Sequence, residues 1–213
     1  MNCFAHTRTH FRLGILLLML LSLAVSCQKK DEEQTKKNAQ LNERLYSSES
    51  VYLKVKQKIA EHPNDARAWY HLADLYDRNG QYAKAVESYK KVVELDPSRG
   101  YTYFKMGSAL SRLNQPAEAV KAFKKAVELI PKNPVLFNNM GVAYGKMNQL
   151  DEEAKALKHA IELRPNYAAA HLNLGITYLK QGNRKAAQKE YETLMNIHTG
   201  AAEVLLKKMK KSS

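Results

Sequence analysis

Residues 97–131 read PSRGYTYFKMGSALSRLNQPAEAVKAFKKAVELIP, two apolar-striped segments on either side of a polar break, opened and closed by proline. Those prolines stand 34 residues apart, and the same interval leads outward to Pro63 on one side and Pro165 on the other. Four full units fall into register, at 66–99, 100–133, 134–167 and 168–201. Within each, apolar residues recur at three- and four-residue steps on both sides of the break, which predicts a pair of amphipathic helices per unit.

The columns of this self-alignment have physical readings. Trp69, Tyr103 and Phe137 share one bulky position, and Leu72, Met106, Met140 and Leu174 lie a turn later on the same face. Ala73, Gly107, Gly141 and Gly175 follow, and a side chain of one carbon or none there lets the paired helices approach closely. Gly80 and Gly182 share a column with Asn114 and Asn148, the residue types that best accept the left-handed conformation ending a helix. In the second helices Ala85, Ala119 and Ala187 form a small column, and Tyr89, Phe123, Leu157 and Tyr191 a large one.

The 34-residue period and these columns resemble the tetratricopeptide repeat. The resemblance implies an all-α fold, an α-solenoid of antiparallel helix pairs wound as a right-handed superhelix. Three positions depart from it. Glu153 replaces the small Ala, with its carboxylate expected to bend toward a lysine; His171 replaces the aromatic and reads as a core stand-in before a ligand; the fourth unit reaches Thr199 without a proline. Residues 45–63 read as a degenerate capping helix before the first unit, and 202–213 as a C-terminal capping helix with a basic tail.

The N-terminus has a different character. Residues 1–26 hold Arg8 and Arg12, then an apolar run from Leu13 to Val25, then Ser26 before Cys27, the layout of an export signal. The run has about 13 residues, short of the roughly 20 that span a hydrocarbon core. Leu23-Ala24-Val25-Ser26-Cys27 resembles the lipobox of bacterial lipoproteins, with Ala24 where Leu is commonest, and this implies cleavage before Cys27 and lipidation of it. Cys3 is the only other cysteine, so once the signal is removed the mature chain has none to pair with Cys27. Residues 27–44 are almost wholly polar and read as a tether that reaches about 55 Å extended or about 20 to 25 Å as a coil.

A formal charge of +13 points by itself to anionic partners. In an exported protein, lipid headgroups, cell-wall polymers or acidic protein surfaces are expected ahead of nucleic acid, and a solvated basic surface is the plain alternative. Lys90 with Glu94, Lys124 with Glu128 and Lys158 with Glu162 are spaced for pairing on the second helices. Arg78, Arg112, Lys146 and Lys180 form a basic column near the C-terminal ends of the first helices, readable as dipole partners or as a binding rail. No His-Glu-x-x-His, phosphate-cradling glycine loop or nucleophile elbow occurs, so no catalytic residue, metal site or cofactor is expected.

In the family the first helices line a concave groove that receives a partner protein or peptide. The resemblance places Arg67, Tyr70, His71, Asp74, Tyr101, Phe104, Lys105 and Arg112 on its N-terminal part. Val135, Val142, Leu172, Ile176 and Leu179 fall on an apolar C-terminal part, unless a C-terminal cap covers some of them. Asn139 and Asn173 share a column that in long superhelices of this family holds a bound backbone. Tyr70, Asp74 and Val135 occupy the positions of the Lys/Asn clamp that holds chaperone C-termini, and so argue against that partner. The binding residues expected are Asn139, Asn173, Val142, Leu172, Ile176, Tyr101, Phe104, Arg112 and Lys146. The function implied is a lipid-anchored scaffold at the outer membrane, facing the periplasm, that supports an envelope machine for pilus secretins, cell-wall hydrolysis or polysaccharide export. A periplasmic holding chaperone is the alternative.

Overall fold

The computed structural model describes residues 30, 33, 34, 36, 37 and 49–211. The signal segment, Cys27 and most of the tether lie outside the described residues. The chain divides into two compact units, Met1–Lys54 and Val55–Ser213. In the first, the described tether residues Lys30, Glu33, Gln34, Lys36 and Lys37 are helical and exposed, with Lys37 Nζ 2.7 Å from Glu33. Helix α1, over residues 49–61, crosses the division and ends before Pro63.

The repeat units form helix pairs: α2 (Ala66–Arg78) with α3 (Tyr82–Leu95), α4 (Gly100–Arg112) with α5 (Pro116–Leu129), α6 (Pro134–Lys146) with α7 (Leu150–Leu163), and α8 (Ala168–Lys180) with α9 (Arg184–Ile197). Each pair turns on a left-handed residue, at φ +71° for Gly80, +57° for Asn114, +58° for Asn148 and +74° for Gly182. Asn takes this conformation at low cost, so two glycines can be replaced without opening the turn. Among the described residues there are only helices.

Core packing follows the columns. Ala85, Ala119 and Ala187 are wholly buried, as are Tyr89, Phe123 and Leu157. The small column is required by distance: a Cβ on Gly107 would stand 2.7 Å from the Phe123 ring, and one on Gly141 2.9 Å from Leu157. Side chains begin the helices where the turn leaves free amides. Asp65 accepts from Arg67 N at 2.8 Å, and Asn133 accepts from Val135 N at 3.0 Å. Lys58, hydrogen-bonded to Asp65 at 3.0 Å, holds that carboxyl below its ordinary range.

Helix α10 runs from Thr199 to Lys211, so it begins inside the span read as the fourth unit and ahead of the expected start at 202. The missing proline is the reason. In the other units a Pro-led turn precedes the next helix; here His198 leads straight in, and its Nδ1 accepts from Ala201 N at 3.1 Å. Leu205 and Ala202 of α10 are fully buried, and Leu172, Ile176 and Leu179 of α8 pack into the same cluster.

The expected pairs on the second helices are displaced by one residue. Lys91 meets Glu94 at 2.7 Å, Lys125 meets Glu128 at 2.9 Å, and His159 meets Glu162 at 2.9 Å. The i,i+3 partner is the nearer one on these faces.

His171 stands in the core, with Nε2 2.7 Å from the Pro165 carbonyl and Nδ1 2.7 Å from Glu190 Oε2. Trp69 makes the corresponding bond in the first unit, Nε1 to the Pro63 carbonyl at 2.8 Å, so the histidine reproduces the indole's anchor. Both imidazole nitrogens face acceptors, which suits the doubly protonated ring. The Glu190 bond raises the His171 pKa above its ordinary 6.5, against the opposing effect of burial and with help from the Pro165 carbonyl. A group whose folded pKa is raised stabilises fully below its unfolded value, and that stability is lost as pH rises through the folded one. The melting temperature should therefore fall as pH rises above the ordinary histidine value of 6.5 in the wild type, and fall less in His171→Phe/Glu190→Gln. Equal falls in the two proteins would remove His171 as the cause.

Candidate binding groove

Successive first helices touch, α4 with α6 and α6 with α8, while no comparable contact joins one second helix to the next among the described residues. The repeat body therefore curves with the first helices on its inner wall. Polar links cross that wall from unit to unit. Lys105 Nζ on α4 reaches back to Asp74 on α2 at 3.3 Å and Asp77 at 3.7 Å. Lys146 Nζ on α6 donates to the Ser111 carbonyl of α4 at 2.8 Å, and Asn173 Nδ2 on α8 donates to Asn138 Oδ1 on α6 at 3.0 Å.

The two asparagines singled out by the sequence thus belong to a chain of three. Asn138 Nδ2 donates in turn to Asn139 Oδ1 at 3.3 Å. Asn138 is 7% exposed and forms the hub; the only sequence signal for it was the Asn-Asn dipeptide. With these bonds made, the Asn139 amide and the Asn173 carbonyl are left at the two ends, a donor and an acceptor of the kind a peptide backbone complements.

Tyr101 is 56% exposed and is the one aromatic among the exposed large hydrophobic side chains of the described residues. It meets Phe104 edge-on at 5.8 Å between centroids, and Phe104 leans on Phe123 of the core at 6.3 Å. Tyr101 and Val135 line a cleft of about 560 Å³, with Ile130, Pro134 and Arg164 around it. Val142 and Asn139 are half-buried on α6.

Leu172 and Ile176, expected in the groove unless a C-terminal cap covers them, are with Leu179 partly buried in the cluster formed with α10. The apolar surface of α8 is partly covered by the protein's own last helix.

On the outer side a cleft of about 720 Å³ is lined by Phe137, Met140, Tyr144, Lys158 and His159. The same furrow recurs in the first unit at Trp69, Leu72, Tyr76, Lys90 and Lys91. Its floor is the repeat core itself, so it follows from seating each first helix beside its second. Among the described residues no three His, Cys, Asp or Glu side chains gather as a metal-holding group, and no helix is long and apolar enough to cross a membrane.

Tetratricopeptide-repeat models match residues 66–99, 101–133 and 168–197, and a second repeat model matches 146–182. The chain is a tetratricopeptide-repeat protein. The longest stretch of the four units outside these matches is 134–145, in the helix carrying the Asn-Asn dipeptide and Gly145. Among solved structures, MamA 41-end from Desulfovibrio magneticus RS-1 is 23% identical, over 74% of this chain and 89% of that one, with a TM-score of 0.69. YrrB, described as having an unusual peptide-binding site, is 23% identical over 79% and 88%, with a TM-score of 0.70. PilW, a type IV pilus biogenesis factor, is 22% identical over 79% and 80%, with a TM-score of 0.66. These likenesses establish the fold. No curated protein sequence matches the chain.

Proposed function

We propose that this protein is a lipid-anchored adaptor, not an enzyme, that holds an extended segment of a partner protein against α2, α4 and α6 while Cys27 tethers it to an envelope membrane. The observation that carries the reading is the contrast along the inner wall. Tyr101 stands exposed on the wall with Phe104, Asn139 and Val142 half-buried near it, whereas the apolar side chains of α8 are packed against α10. That packing also favours an adaptor over a holding chaperone, because part of the apolar half-groove on which many unfolded clients would settle is taken up by α10. An outer-membrane lipoprotein facing the periplasm and serving an envelope machine is the setting that the lipobox-like Leu23–Cys27 and the fold supports best. The likeness to PilW supports pilus assembly as one such setting.

One experiment in cells tests both halves. A photo-crosslinking residue at Val142 should give a single discrete adduct, and the same residue at Lys121, exposed on α5, should not. Labelled palmitate should enter the protein and be lost in Cys27→Ser. Adducts from position 121 alone would sink the groove, and a mature wild-type chain without lipid would sink the tether.

A further inference from the structure

The inner wall has a charge pattern that narrows the class of partner. In the basic column, Arg78 Nε lies 2.7 Å from Asp74, and Lys180 Nζ lies 3.6 Å from Glu153. Lys105, between them, is held by Asp74 and Asp77. The two central members are placed differently. Arg112 donates to the Tyr82 hydroxyl at 3.2 Å with its guanidinium 5.3 Å from that ring's centroid, and Lys146 donates to the Ser111 carbonyl. Neither has a carboxylate within ion-pair distance among the described residues.

Ser111 directly precedes Arg112, so Lys146 brings its ammonium to the same end of α4 that carries the guanidinium. A phenol and a carbonyl orient these cations without neutralising them. The C-terminal dipole of α4 offsets only about half a charge, against two full positive ones. Both side chains are exposed, and they share the wall with Tyr101 and Phe104, about three and two turns before Arg112 on α4.

Resting on the groove reading, we infer that the bound segment is an acidic extended peptide of a partner protein. Its carboxylates meet Arg112 and Lys146, an apolar side chain packs on Tyr101, and its backbone bonds to Asn139. Held cations favour this over a merely basic surface, because less side-chain freedom is lost when the partner arrives. The reading also explains why the central cations are spared the carboxylates that the outer ones receive.

The test uses the full chain and two fluorescein-labelled peptides, one with Glu at alternate positions and one with Gln in their place, titrated by fluorescence anisotropy at low salt. The Glu peptide should bind about tenfold more tightly than the Gln peptide. Arg112→Gln/Lys146→Gln should remove about that factor. Lys185→Gln/Lys189→Gln, on exposed positions of α9, makes the same change in net charge and should alter binding less than about twofold. Melting curves confirm that both variants are folded. Equal losses in the two variants would mean that overall charge alone attracts the peptide, and would overturn the proposal. If the Gln peptide binds as tightly as the Glu peptide and crosslinks at position 142, the acidic class is wrong while the groove stands. If neither peptide crosslinks there, the groove reading itself fails.

Discussion

Deleting Thr199–Lys211 is expected to lower the melting temperature by more than about 10 °C and to make the protein aggregate. Leu205 is fully buried and Met209 nearly so, and removing large core side chains costs about 2 to 5 kcal/mol each. A change of about 1 kcal/mol moves the melting temperature by roughly 2 to 8 °C in domains of this size range. The contact is close: a Cβ added at Gly175 would stand 2.5 Å from a Leu205 methyl. Without α10 the partly buried Leu172, Ile176 and Leu179 would face water as one patch, of the sort that drives association. Leu205→Ala is the milder form and should lose part of the same stability. A truncated chain that melts like the wild type would show that α10 is dispensable.

The second large effect is expected at Gly145. Glu153 occupies a column of alanines, yet it is 5% exposed, and its Oε2 has no hydrogen-bond partner among the described residues. Space for that carboxylate comes from the absence of a side chain at 145, since a Cβ there would lie 2.6 Å from Glu153 Oε2. Elsewhere in the helix-pair contact the column of Gly145 holds Asp77, Ser111 and Leu179, opposite Ala85, Ala119 and Ala187. The third unit has exchanged the sizes.

Gly145→Ala would ordinarily gain about 1 kcal/mol of helix propensity. Here it should instead destabilise, by about 1 to 3 kcal/mol, because the added methyl displaces the buried carboxylate from the space it fills beside position 145. Gly145→Ala/Glu153→Ala should recover that loss and exceed the wild type, because it removes a buried carboxylate oxygen that lacks a hydrogen-bond partner. Chemical denaturation of the two variants and of Glu153→Ala closes the double-mutant cycle. If Gly145→Ala alone is as stable as the wild type, the size exchange is not what holds Glu153 in place.

Much of the fold was legible because tetratricopeptide-type packing is local and repeated. Each column meets the same neighbours four times, so proline spacing, the glycine and asparagine turns and the large and small columns each announce their role. The candidate groove was legible in part. Tyr101, Phe104, Asn139 and Val142 are where the repeat pattern puts them, and Arg112 and Lys146 stand in the expected column. Glu190 as the partner of His171, 19 residues away on the next helix, had no periodic signal to give it away. Nor did Asn138, because a buried polar hub and a groove residue look alike when they are adjacent.

By itself the sequence determined the helix pairs, their turns and the order of the stack, since these depend on spacing along one chain and on backbone preferences of single residues. Tertiary structure decided what is open and what is covered. Whether Leu172 and Ile176 face a partner or α10 depends on where α10 docks after a turn that lacks its proline. Whether a cation is neutralised depends on the carboxylate beside it: Asp74 one turn earlier on α2 for Arg78, Glu153 on α7 for Lys180, and none among the described residues for Arg112 and Lys146. Apart from the i,i+4 pair of Asp74 and Arg78, such outcomes are set by distances between residues about 30 positions apart, and composition and periodicity carry no record of them.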